Sequence, residues 1–389
     1  MIKIAFVIDT ILSPTGGTEK HILLQLKNID RTRFSPYLCI LRSSAWIREE
    51  FSLCPVYVLG IDSFRSLSAY ARIWKFAGFL KGEGISIVHT YYRDAGIAGI
   101  LAARIAGKKT IFSARRNQGY WLDRKELVLQ KALNRLVARF VANSYSTKAW
   151  SNEVEGIPGE KIDVIYNCID LQHYRRTTVQ NRRESRQLLG LPDYAPVIGI
   201  VANLRPVKGI DVFLKAAKLV KDELPQARFL IVGDGEEEEN LKRLSAELGL
   251  GGCADFLGRK RDVARVLNAF DVAVLSSYSE SFSNSIVEYL AAGIPVVCTD
   301  VGGSREAVES GVNGFVVPAG DSRAMAGCIA RIITEGMFHY MNMRNRDKAE
   351  KKFSIAGSVK AYEKLYGSAE GVAGADCSSG MAVINTKAE

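Results

Sequence analysis

The sequence predicts two doubly wound Rossmann-like α/β domains that face each other across a cleft. Three observations predict it. The chain has 389 residues, more than one hydrophobic core ordinarily organises, so two domains are expected. Short β-branched runs alternate with helix-length amphipathic segments in two successive series, the pattern of parallel sheets covered on both faces. Between the two series lies a polar, arginine-rich stretch within residues 172–187, HYRRTTVQNRRESRQ.

In the first series Ile2–Ile8, Tyr37–Leu41, Val56–Leu59, Ile87–His89, Thr110–Ser113, Phe140–Ala142 and Val164–Tyr166 read as buried strands. Segments of helical period separate them, among them Glu19–Asn28, Leu67–Lys81 and Lys125–Arg139. The second series has strands at Pro196–Val201, Arg228–Val232, Ala254–Leu257, Val272–Leu275, Pro295–Thr299 and Gly314–Val317. Its helices are Gly209–Glu223, Glu236–Leu248, Arg261–Ala269, Ser285–Ala292 and Ser322–Glu335. The expected domains are thus residues 1–172 and 173–352. From Gly367 onward small and polar residues without period suggest a disordered tail.

Composition narrows the function. Apolar residues are 47% and charged residues 24%, which excludes a disordered or fibrous chain. Seven cysteines, an odd number with no CxxC pair, argue against a disulfide framework or structural zinc and for a reducing compartment. The N-terminal apolar run ends at Asp9, too short for a signal-peptide core, and the best membrane candidate, Gly96–Gly107, is broken by Arg104. A cytoplasmic location is expected. The net charge of +10 is uneven. Residues 1–172 hold 24 Lys/Arg against 15 Asp/Glu, so residues 173–389 hold 52 − 24 = 28 against 42 − 15 = 27. All four tryptophans also fall in the first half.

Four strand-to-helix turns carry chemistry. Ser13–Thr18 holds Gly16-Gly17, where backbone can approach an anion at a helix start, with Thr15 or Thr18 as possible cap. It is neither GxGxxG nor a Walker A loop. Val201–Gly209 places Arg205 and Lys208 at a strand's carboxyl end, where α/β sheets bind ligands; a guanidinium fork and an ammonium suit a pyrophosphate. Val232-Gly233-Asp234-Gly235 is followed by the acidic run Glu236–Glu239, best explained as first-turn acids that favour the helix dipole. Ser276–Val297 carries Glu280 before a helix start and Glu288 after it. Two such carboxylates can line one pocket and accept from vicinal sugar hydroxyls, while free N–H groups at Asn284–Ile286 receive a phosphate.

Glu-x7-Glu followed by Ala-x-Gly-x-Pro-Val-Val resembles glycosyltransferase family 4, retaining transferases of the GT-B fold. The resemblance covers roughly residues 1–366 and includes Gly16-Gly17-Thr18-Glu19, Ile165–Asp170, Arg205-x-x-Lys208-Gly209 and Phe256-Leu257-Gly258. It implies that Glu288 binds the donor ribose, that Glu280 sits near the donor sugar, and that Arg205 and Lys208 hold the pyrophosphate and stabilise the leaving diphosphate. Glu280, Arg205 and Lys208 are the implied catalytic residues. Backbone at Gly16, Gly17 and Phe282, Ser283, Asn284, Ser285 and Ile286 would complete the donor site, with Gly233 beside it and Arg259 near the base. Residues 353–366 would cross back onto the first domain. Cys168 stands where relatives often have glycine. Many relatives carry a histidine after the fifth strand; here Phe112–Asn117 has none, so no catalytic histidine is carried over.

On the acceptor side, His89, Arg115 and Asn117 are candidates, with His89 equally readable as a core residue. Residues 64–81 and 115–139 combine basic and aromatic side chains, a pattern shared by interfacial helices at anionic lipid and by ordinary sheet-covering helices. The expected partners are a nucleotide sugar, a glycan or lipid-linked acceptor and an anionic membrane surface. Nucleic acid is not expected, for lack of any binding module. No metal or other cofactor is expected, because no Asp-x-Asp metal motif occurs. A sugar-nucleotide epimerase of similar architecture and a non-catalytic bilobal binding protein are the alternatives.

Overall fold

The structure is a computed structural model that describes residues 1–371 except Thr15, Lys109, Tyr120, Trp121, Arg175, Arg176 and Thr177. The first seven strands are β1 (Ile2–Ile8), β2 (Phe34–Ile40), β3 (Val56–Val58), β4 (Ile87–Thr90), β5 (Ile111–Arg115), β6 (Arg139–Ala142) and β7 (Ile162–Val164). They form one sheet in the order β3-β2-β1-β4-β5-β6-β7. The remaining six are β8 (Val197–Val201), β9 (Arg228–Val232), β10 (Ala254–Gly258), β11 (Val272–Leu275), β12 (Val296–Thr299) and β13 (Gly314–Val317), ordered β10-β9-β8-β11-β12-β13. Every ladder is parallel. Parallel strands need crossovers, so helices cover both faces and the strands are buried on both sides.

The pleat divides each strand between two cores. In β1, Ile4, Phe6 and Ile8 face helix Gly17–Asn28, while Ala5 and Val7 face helices Leu67–Gly82 and Arg93–Ile105. Strand order reverses beside β1/β4 in the first sheet and beside β8/β11 in the second. At such switch points the loops leaving the strands part and open a crevice.

Several elements differ from the sequence reading: among the strands, β7 lies at Ile162–Val164 and not Val164–Tyr166, and β2 begins at Phe34 and not Tyr37. Helix Arg124–Asn134 ends five residues earlier than expected, because Arg139–Ala142 is recruited into β6. The boundary stretch holds its own helix, Val179–Leu188, started by a Thr178/Asn181 capping box and anchored by buried Arg186 on Asp271 at 2.6 Å. Helix Ile355–Gly371 runs beyond Gly367, so the expected tail is corrected over residues 367–371; residues 372–389 lie outside those described. Its Tyr362 and Tyr366 enter the first domain's core beside Phe6 and Phe34, each such side chain contributing about 2–3 kcal/mol of burial.

Candidate active site at the interdomain cleft

The second domain's switch point gathers its site residues. Lys208 comes from the loop after β8 and Glu280 from the loop after β11. Lys208 Nζ donates to Glu280 Oε1 at 2.6 Å, and Ser277 Oγ donates to the same oxygen at 2.8 Å. Arg205 is exposed at the start of the turn Pro206–Lys208, and its side chain has no partner among the described residues. Next comes helix Asn284–Ala292. Its N-cap residue, Ser283, makes no side-chain cap bond, which leaves first-turn N–H groups for an anion. Ser285 Oγ donates to the Val201 carbonyl at 2.8 Å and Val201 N donates to Tyr289 Oη at 2.8 Å, so this helix start is fixed to the end of β8.

Phe282 and Ile286 are buried, Phe282 against Tyr166 and Phe353, so only their backbone can meet a ligand. Gly233 has φ 135, and a Cβ there would strike the Ala202 carbonyl; its N–H is already donated to Gly258 O. Arg259 is exposed and paired with Asp234 at 3.0 Å. The acids Glu238 and Glu239 lie in the first turn of helix Glu238–Glu247 and pair with Lys242.

The first domain supplies the opposite wall. Gly16 caps helix Gly17–Asn28 by backbone alone; Thr18 makes no side-chain cap, and Thr15 lies outside the described residues. A Cβ on Gly17 would sit 2.9 Å from Asn284 Nδ2, so a larger residue there would have to displace the Asn284 side chain. Lys20 Nζ crosses to Glu288 Oε1 at 2.9 Å and packs over the Tyr174 ring. Asn167 Nδ2 donates to Asn284 Oδ1 at 2.6 Å, and Arg116 Nη2 donates to Asn167 Oδ1 at 2.6 Å. Glu306 of the second domain accepts from Tyr145 N, Ser146 N and Tyr166 Oη, at 2.8, 2.9 and 2.8 Å, and so caps a first-domain helix.

Two acceptor candidates are corrected. His89 lies inside β4 with no exposed surface; its Nδ1 bonds Tyr366 Oη at 2.7 Å and its ring stacks on Tyr91. Burial, then the nearby Arg116 charge, push its pKa down to about 3. It is the core residue of the two readings. Arg115 spends every N–H direction within the protein: Nε and Nη2 on Glu155, Nη2 also on Asn134, Nη1 on Ser113 and the Ala114 carbonyl. No donor remains for an acceptor. Asn117 is half-buried, accepts from Gly119 N at 3.1 Å, and lines a cavity of about 40 Å³ with Tyr92, Arg93 and Arg116.

Sequence reasoning missed Lys20 and Glu306; it named Asn167 within the Ile165–Asp170 family segment and Arg116 within Phe112–Asn117 and a basic run, without giving either a role. Lys20 had a signal, since a cation in a helix's first turn opposes the macrodipole and needs another reason. Arg116 had a weaker one. Side chains alternate across a strand, so the residue after Arg115 faces away from Glu155 and toward the cleft. Asn167 stood in a recognised segment, but its contact across the domain interface, like that of Glu306, is one that no local pattern reports.

Two parallel-sheet domains with switch-point loops facing across one cleft define the GT-B glycosyltransferase architecture. The chain matches the description "Glycosyltransferase Family 4" over residues 15–173 and "Glycosyl transferases group 1" over residues 181–352. It belongs to glycosyltransferase family 4 and is a glycosyltransferase, which removes the epimerase and binding-protein alternatives. It is 26% identical over 325 residues to UDP-Gal:alpha-D-GlcNAc-diphosphoundecaprenol alpha-1,3-galactosyltransferase of Escherichia coli, covering 80% of this chain and 82% of that one. It is 28% identical over 302 residues to N-acetyl-alpha-D-glucosaminyl L-malate synthase of Bacillus anthracis, covering 75% and 77%. Among solved structures, Anabaena Alr3699/HepE in complex with UDP and glucose matches with TM-score 0.81 and 25% identity, over 95% of this chain and 100% of that one. Sucrose-phosphate synthase from Thermosynechococcus elongatus has TM-score 0.82 over 96% and 100%; at 19% identity it speaks for the fold alone.

Proposed function

We propose that the chain transfers a hexosyl unit, with retention of anomeric configuration, from a nucleoside diphosphate sugar to a glycan or lipid-linked acceptor. One observation carries this reading: Lys208, Glu280, Glu288 and the uncapped start of helix Asn284–Ala292 converge on the cleft at the β8/β11 switch point, with Arg205 at its rim. In this reading the helix start and Gly16–Gly17 receive the diphosphate, Glu288 the ribose, and Glu280 the sugar. Charge grows on the departing diphosphate as the glycosidic bond breaks. Arg205 and Lys208 stabilise it electrostatically, so no divalent metal is required. The UDP complexes of Anabaena HepE and the names of the Escherichia coli and Bacillus anthracis relatives support such a donor and such acceptors.

The membrane part of the proposal rests on two helices of the first domain. Helices Leu67–Gly82 and Arg124–Asn134 share one core layer, and each follows a strand, so each begins at the cleft edge. Leu67, Tyr70 and Trp74 project from the first and Val128 and Leu129 from the second, among Arg72, Lys75, Lys125 and Lys131. Apolar tips set in a basic field suit the inner face of an anionic membrane. Among the described residues no helix is long and apolar enough to cross a membrane.

Slow hydrolysis of UDP-, GDP- and ADP-sugars without acceptor tests the chemistry. Arg205→Ala, Lys208→Ala and Glu288→Ala should each slow it, and near-wild-type rates in all three would overturn the site. The first-formed sugar should keep the donor's anomeric configuration by NMR; the inverted anomer would exclude retention. Complete loss with EDTA would exclude metal independence.

A further inference from the structure

Among the described residues, arginines that leave the surface take a carboxylate with them. Arg115 pairs with Glu155, Arg139 with Asp163, Arg186 with Asp271 and Arg228 with Asp255. Arg116 does not. It is half-buried, forms no ion pair among the described residues, and spends one N–H on the Asn167 amide oxygen. A desolvated guanidinium without a counter-anion is costly, and such a charge is retained where an anion visits.

Its surroundings say where that anion sits. Arg116 is the first residue beyond β5, and its backbone carbonyl accepts from Ser281 Oγ at 2.7 Å. Two successive 2.6 Å hydrogen bonds, through Asn167, link its guanidinium to Asn284, the first residue of the uncapped helix. Its charge also reaches His21 and Cys168, which line the small pocket containing Gly17, Asn284 and Glu288. We propose that Arg116 is a phosphoryl-binding residue contributed by the first domain, completing across the cleft the cation set of Arg205 and Lys208. Asn167 is its positioning residue, holding the guanidinium at the helix start. The group bound is a phosphoryl anion, from the donor's diphosphate or from a phosphate of the acceptor. The inference rests on the proposed glycosyl transfer and adds a binding group from the opposite wall.

Calorimetry on the full chain tests it with UDP, GDP, ADP and inorganic pyrophosphate as probes. Arg116→Gln keeps a polar amide donor but is shorter and loses the charge, whereas Arg116→Lys keeps the charge and loses the guanidinium fork. A lost charge-assisted hydrogen bond corresponds to about a 10- to 100-fold weaker affinity. If the anion is the donor diphosphate, the nucleoside diphosphate that binds wild type weakens by that factor, and Arg116→Lys recovers part of it. If it is the acceptor's phosphate, that affinity stays unchanged. Pyrophosphate then binds the nucleoside-diphosphate-saturated wild type at least about tenfold more tightly than the saturated variant, on the same charge-assisted scale. Unchanged affinities for both probes in Arg116→Gln and Arg116→Lys overturn the inference, even if the variants melt at a lower temperature. No binding of any nucleoside diphosphate to wild type instead overturns the underlying reading of the cleft.

Discussion

The two walls of the cleft are built differently. The second domain's wall is local: Lys208 and Glu280 leave adjacent strands, and Glu288 follows within the next helix. The first domain's wall is assembled from distant segments, Gly17, Lys20, Arg116 and Asn167, brought together by contacts with each other and with Ser281, Phe282, Asn284 and Glu288 of the second domain. One wall is a motif and the other an arrangement. Charge follows the same division. The nearly neutral half has a few cations at the β8/β11 switch point, whereas the basic half carries its excess on its helices as well.

Breaking each wall should give unequal losses. Lys208→Ala removes the cation proposed to stabilise the leaving group and leaves Glu280 with Ser277 as its partner among the described residues; donor turnover should fall about 100- to 1,000-fold. A loss under tenfold would mean that the second wall binds without doing chemistry.

The first wall has an acid-sensitive support. His21 and His89, both buried, bond Tyr362 and Tyr366 of the helix Ile355–Gly371. Burial lowers both pKa values, that of His89 to about 3. Below pH 6.5 the unfolded chain takes up protons that the folded one refuses, so stability falls as pH drops from 6.5 toward 3. The His89 shift alone corresponds to on the order of a few kcal/mol at the acid end. Melting temperature against pH should slope less steeply for His89→Gln than for wild type; parallel curves would contradict it.

Smaller effects separate the cleft from the surface behind it. Trp74→Ala with Lys75→Ala should weaken binding to anionic vesicles roughly tenfold at low salt, leaving donor hydrolysis unchanged. Vesicle binding that is absent in wild type, or insensitive to salt, would remove the membrane reading. Smallest of all, Lys20→Ala should change nucleoside diphosphate affinity by less than about fivefold, because the Lys20–Glu288 pair is partly solvated. A hundredfold change would place Lys20 among the main phosphate ligands.

What the sequence disclosed tracks this division. Arg205, Lys208 and Glu280 were legible because each follows a β-branched run and precedes a helical period, which puts it at a strand's carboxyl end, and Glu288 because it falls in the first turns of the helix that follows. Helix Val179–Leu188 was not, since a polar segment with one buried arginine carries little hydrophobic period and its partner Asp271 is 85 residues away. His89 and Arg115 misled for a related reason. Polar types in a strand read as functional until their partners, Tyr366 and Glu155, arrive from remote segments. Arg116, one residue from Arg115, faces the other way because of the pleat.

The central claim is that the β8/β11 switch point holds a nucleoside diphosphate with Glu288 on its ribose. Thermal melting of wild type and Glu288→Ala with UDP, GDP and ADP tests it directly. A ligand at about 100 times its Kd adds roughly 2.7 kcal/mol, a shift of several degrees. One of the three should raise the wild-type melting temperature by that amount and leave Glu288→Ala nearly unmoved. An equal rise in both proteins, or none in wild type at millimolar ligand, would contradict the claim.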